Sequence, residues 1–132
     1  MNTLEGKIAS IKTNGSLSLV TINVNDILFQ AMIIETPDTV SYLKKTNPVK
    51  VVFKETEVII SKGDGCELSI PNKVTGNIST IEKGVLLSKI IISTAVGDIS
   101  AIITSDAMNE MILQIEEEVT ILIKTTEIML SQ

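Results

Sequence analysis

The side chains able to do chemistry in this chain are carboxylates, hydroxyls and lysines. Among its 132 residues there is no His and no Trp, and all eleven basic residues are Lys. A serine or cysteine nucleophile therefore has no imidazole to activate it, and a His-based metal site is impossible. Without an assembled acid/base pair in the sequence, the chain reads as a binder rather than an enzyme. The single cysteine, Cys66, has no internal disulfide partner, which fits a reducing compartment.

Charge and aromatic content exclude a further class. Net charge is −5. Residues 1–66 carry seven Lys and seven acidic groups, and residues 67–132 carry four Lys and nine acidic groups. The aromatics are Phe29, Tyr42 and Phe53. A nucleic-acid surface needs cations for phosphates and rings for bases, so nucleic acid is not an expected partner. No apolar stretch approaches the roughly 18 residues of a membrane span, and Met1 to Lys12 lacks the apolar core of a secretory signal. The expectation is a soluble, cytoplasmic protein with no membrane partner.

The elements that must position these side chains occur twice. Gly6-Lys-Ile-Ala-Ser-Ile11 aligns with Gly76-Asn-Ile-Ser-Thr-Ile81, and Gln30-Ala-Met-Ile-Ile34 with Ser100-Ala-Ile-Ile-Thr104. Val49 to Ser61 aligns with Val119 to Ser131, including a shared Lys-x-Thr-Glu. Restoration of one spacing over three separated blocks marks a tandem duplication. The expected layout is a first domain at 1–61, a linker at 62–68 and a second domain at 69–132. Ile, Val and Leu dominate the apolar residues, which favours strands.

Each copy predicts five strands: about Leu4–Ile11, Leu17–Val24, Ile27–Ile34, Val49–Lys54 and Glu57–Ser61, with the second copy at Val74–Ile81, Val85–Ser93, Ile99–Thr104, Val119–Lys124 and Glu127–Ser131. A phase change in the alternation between Leu19 and Val20 predicts a bulge or a strong coil, as where a sheet curls into a barrel. Thr36-Pro37-Asp38 and Ser105-Asp106 read as helix starts, the latter followed by Met108, Met111, Ile112 and Ile115 at helical spacing. The predicted fold is all-β: two tandem OB-like five-stranded barrels, each closed by its own fifth strand, with a short helix between strands three and four.

Ser69-Ile-Pro-Asn-Lys-Val-Thr-Gly76, Ile81-Glu-Lys-Gly84, Ser100-Ala-Ile-Ile-Thr104 and Val119-Thr-Ile-Leu-Ile-Lys-Thr-Thr-Glu-Ile-Met-Leu130 together resemble the Mop (molbindin) domain of the TOBE superfamily. Two such copies with no further domain resemble the di-Mop proteins. That resemblance implies a cytoplasmic molybdate- or tungstate-binding protein for storage or homeostasis, with oxyanions held at domain interfaces of a closed homo-oligomer, a trimer first. It implies no organic cofactor and no bare metal cation. The residues it transfers are Ser69, Ile70 and Asn72, where backbone N–H groups and a serine hydroxyl wrap the anion, with Thr104, Lys124 and Thr125. Lys54 is the first-copy counterpart of Lys124, and Lys89 lies outside the transferred set.

A molybdate dianion offers only acceptor oxygens, so converging donors and one ammonium suit it. Pro71 stands where the family has Arg, and Ala107 where it has Ser. In the first copy, Ile34 replaces the threonine, Pro37 the serine, and Glu55 follows Lys54. The alternative reading is a TOBE-type oligomerisation or ligand-sensing module whose anion site has decayed.

Overall fold

The computed structural model describes residues 1–63 and 67–132. The middle of the expected linker, with Cys66, lies outside the described residues. In chain order the elements are β1 (Asn2–Asn14), β2 (Leu17–Val24), β3 (Ile27–Ile33), β4 (Pro48–Phe53), β5 (Ile59–Ser61), β6 (Asn72–Lys83), β7 (Leu87–Thr94), β8 (Gly97–Thr104), α1 (Ser105–Met111), β9 (Glu118–Ile123) and β10 (Met129–Ser131). One-turn 3-10 segments at Glu55–Glu57 and Thr125–Glu127 precede β5 and β10. The fold is all-β, with two antiparallel, OB-like five-stranded sheets.

The first strand of each copy forms the spine of its sheet. β1 is long enough to pair with β2 along one part and with β4 along another. β6 does the same with β7 and β9. Such a strand must curl, and each carries a register shift, at Ile8/Ser10 and at Ile78/Thr80. Gly6 and Gly76 sit beside these bends. A Cβ on Gly6 would meet the Asn23 carbonyl oxygen at 2.6 Å, and one on Gly76 the Ser93 carbonyl oxygen at 2.5 Å. Only glycine lets the neighbouring backbone approach so closely.

The bulge expected in strand two is thus in strand one. β2 alternates without interruption, because Leu17 and Leu19 lie on its outer side while Ser18 points inward. The Ser18 hydroxyl donates to the Glu35 carbonyl oxygen at 2.5 Å, which satisfies a polar group at a buried position.

A second correction concerns closure. The fifth strand of each copy completes the other copy's sheet. β10 pairs with β4, through Met129 with Val52 and Leu130 with Val51. β5 pairs with β9, through Ile59 with Leu122 and Ile60 with Ile121. Alternation reveals a strand but not its neighbour, so the sequence could not choose between self-closure and exchange. Val58, Ile60 and Ile128 ride on the exchanged segments into one continuous apolar core shared by both sheets.

The short helix appears in the second copy only. Thr104 caps α1, its hydroxyl accepting from the Ala107 N–H at 3.1 Å. The helix ends at Met111. Ile112 adopts a left-handed conformation (φ 52°), so Ile112 and Ile115 lie beyond it and are exposed. In the first copy, Thr36 to Asn47 form successive turns. There the Thr36 carbonyl oxygen accepts from the Thr39 and Val40 N–H groups and the Thr39 hydroxyl accepts from the Thr36 N–H, so the helix start makes one turn and goes no further. Thr39 and Val40 are also poor helix formers.

Tyr42 anchors that segment, its hydroxyl donating to Glu35 Oε1 at 2.9 Å. Burial, reinforced by this bond and by the Glu35 charge, pushes the phenol from 10.0 up to about 12. The folded state therefore favours the neutral phenol. The corresponding stability is fully present below pH 10 and is lost as pH rises through about 12. Denaturant titrations across this window should show a decline that the Tyr42→Phe variant lacks.

The exchanged topology makes its own prediction. Removing residues 129–132 should abolish amide-exchange protection along β4, at Lys50 and Val52 in the first copy, while β9 keeps its own. Loss at β9 with retention at β4 would contradict exchange.

Candidate functional site

The exchange carries the two Lys-containing ends across the molecule. Lys124 follows β9 directly and begins the Thr125–Glu127 turn, which packs against β3 of the first copy. Lys54 follows β4 and begins the Glu55–Glu57 turn, which packs against β8 of the second copy. Two related faces result, one at each junction between the copies.

The Lys124 face brings together Lys124, Thr125 and the Asn72 end of β6. Asn72 pairs with Ile123 across the β6–β9 ladder, which sets the start of β6 beside the end of β9, where Lys124 and Thr125 follow. Lys124 and Ser69 are exposed, while Ile70 and Thr125 are half-buried. Among the described residues no carboxylate lies within ion-pair distance of Lys124. The face therefore offers an ammonium, two hydroxyls and backbone N–H groups, a set of donors suited to a small anion.

Asn72 has a further role that the sequence did not suggest. Its side chain is fully buried. Oδ1 accepts from the Gln30 N–H at 2.6 Å, and Nδ2 donates to the Gln30 carbonyl oxygen at 2.8 Å. Asn2 repeats this on the opposite face, with Ser100 N–H to Oδ1 and Nδ2 to the Ser100 carbonyl oxygen, both at 2.8 Å. These two amide clamps bolt each copy to strand three of the other. The signal was present in the sequence as asparagine at matching places in both copies, seventy residues apart.

Thr104 is placed differently. It ends β8, the strand against which the Lys54-side turn packs, so within one chain it belongs to the other face. Its counterpart beside the Lys124 face is Ile34, an exposed apolar residue at the end of β3. A site using both Lys124 and Thr104 would draw on more than one chain.

The Lys54 face differs in charge. Glu55, at the position of Thr125, accepts from the Met1 α-ammonium at 3.1 Å and lies 3.6 Å from Lys89 Nζ. The hydrogen bond from the Met1 ammonium, with Lys89 adding to it, holds this carboxyl below its usual range. Lys89, outside the set read from sequence, thus reaches this face because the exchange lays the Glu55 turn beside β7 and β8.

The asparagine clamps are directly testable. Asn72→Ala removes two hydrogen bonds and leaves the Gln30 N–H and carbonyl unpaired, a cost of about 1–3 kcal/mol per orphaned group. Thermal denaturation should show a clear drop in Tm, and Asn2→Ala should produce a similar one. An unchanged Tm in both variants would remove the clamps from any account of how the copies are held.

Residues 68–130 match the TOBE domain family model. No curated protein matches the sequence. Among solved structures, the chain is similar to the cytoplasmic molybdate-binding protein ModG, in a crystal form with molybdate bound. Identity is 23%, coverage 98% of this chain and 94% of that chain, and the TM-score 0.89. MopII from Clostridium pasteurianum is also similar, at 26% identity over 48% of this chain and 96% of that chain, with a TM-score of 0.46. The second copy is thus matched by the TOBE model directly, the first is tied to it by the internal repeat, and the whole chain has the tandem fold of ModG.

Proposed function

We propose that this protein binds molybdate or tungstate in the cytoplasm, as a store or buffer rather than a catalyst. The observation that carries the reading is the Lys124 face: an ammonium with no carboxylate partner among the described residues, beside the Thr125 hydroxyl and the Asn72 end of β6. The tandem fold shared with ModG, itself described as molybdate-binding, supports it. Ser69, Ile70 and Asn72 would contribute mainly backbone donors, since the Asn72 amide is committed to Gln30. No helix among the described residues is long and apolar enough to cross a membrane.

The chain acts as a closed homo-oligomer, a trimer first, in which a neighbouring chain's Thr104 face completes the site. Val85, Leu86 and Leu87 at the β6–β7 turn, with Ile34, Ile112 and Ile115, are large apolar residues left exposed in the single chain. Such surface supports association. The same surface favours the second reading, an interaction module whose anion site has decayed, and Pro71 in place of the family's Arg fits that too.

Calorimetric titration separates the two. Molybdate or tungstate should bind and sulfate serve as the comparison anion. Lys124→Ala should weaken binding roughly ten- to a hundredfold, the loss of one charge-assisted hydrogen bond. Thr104→Val should cost less, and Lys45→Ala, in an exposed turn of the first copy, should cost nothing measurable. A Lys124→Ala protein that keeps its assembly and binds as tightly as the parent refutes the site. A parent that binds neither oxyanion leaves the interaction module standing.

A further inference from the structure

The two faces descend from one repeat but no longer present the same charge. On one, Lys124 is followed by the neutral Thr125; on the other, Lys54 is followed by Glu55. Both turns occupy the same place at the junction, one on β3 and one on β8. The Glu55 carboxylate is also engaged, holding the Met1 ammonium at 3.1 Å and Lys89 Nζ, from the other copy, at 3.6 Å. Two of the cations near this face are thus already neutralising a fixed internal anion.

We infer that Glu55 is a specificity residue that closes the Lys54 face to oxyanions, so that each chain offers one anion face, at Lys124, rather than two. This rests on the proposed function and deepens it. A dianion approaching Lys54 would meet a carboxylate on the next residue, and like charges in one small site oppose each other. It would also have to compete with that carboxylate for Lys89. The Lys124 face has no such competitor among the described residues.

The face keeps other donors that an anion would need. Lys54 remains exposed, and Lys89 Nζ, 3.6 Å from the Glu55 carboxylate, is released when that carboxylate is removed. Replacing the carboxylate should therefore uncover a site rather than merely remove an ion pair. Glu55→Thr copies the second-copy residue into the first, and Glu55→Gln keeps the size while removing the charge.

Titration of the full-length protein with molybdate at fixed ionic strength tests this. The parent should bind one anion per Lys124 face, and Lys124→Ala should weaken that binding roughly ten- to a hundredfold. Glu55→Thr should gain a second class of sites, doubling the stoichiometry per chain, and Lys124→Ala combined with Glu55→Thr should recover one site per chain. Glu55→Gln guards against a failure of the threonine variant to fold, and should show the same gain. A parent that already fills both faces, or stoichiometry unchanged in both Glu55 variants, overturns this inference while leaving the Lys124 site intact. A parent that binds no oxyanion overturns the proposed function itself, and this inference with it.

Discussion

The exchange of the closing strands constrains the rest of the molecule. An open edge in a small curled sheet leaves a row of unpaired N–H and carbonyl groups, and here β10 covers the edge of β4 while β5 covers that of β9. Neither copy can complete its sheet from its own sequence. The segments linking β4 to β5 and β9 to β10 must therefore cross the junction, and they begin at Lys54 and Lys124. Both candidate faces exist at the interface between copies because the chain has to pass there.

The asparagine clamps fix the angle at which that crossing is made. A buried backbone amide and carbonyl on strand three would each need a partner, and a primary amide supplies both in one planar group. Asn72 does so for Gln30, and Asn2 for Ser100. A third contact, Asn25 Nδ2 to the Ala95 carbonyl oxygen at 2.7 Å, joins the two tight turns between strands two and three. Apolar burial alone is non-directional; these bonds set the register in which the two sheets share a core.

Strand content was readable in the sequence because alternation and β-branched residues report local geometry directly: β2 falls at Leu17–Val24, as the pattern implies. What alternation cannot report is partner choice, and so the exchange of β5 and β10 escaped it. The bulge was misplaced for a related reason. Leu17 and Leu19 are apolar yet outward-facing, and the inward Ser18 imitates a change of phase. The helix start at Thr36 is present as a single turn, and the β-branched Thr39 and Val40 that follow do not extend it. At the site, the family resemblance groups Lys124, Thr125 and Asn72 with Thr104, whereas the separation of Thr104 from them depends on the crossing. Lys89 could not be placed at all, since its partner Glu55 is brought to it only by that crossing.

The proposed binding of a dianion is compatible with the acidity of the whole chain. The second half carries most of the negative excess, with nine acidic residues against four Lys. At physiological ionic strength exposed charges beyond about 8 Å are largely screened, so the total matters less than what lies within a few ångströms of the bound oxygens. There the second copy keeps a lysine followed by a hydroxyl, while the first keeps the lysine but adds a carboxylate and finds it two cationic partners. Two copies that share one backbone geometry can diverge in this way at little cost to folding, because both turns are partly exposed and neither contributes a buried residue of its own. The two turns thus differ in charge through one side chain each, Glu55 and Thr125, while the exchanged framework beneath both is the same.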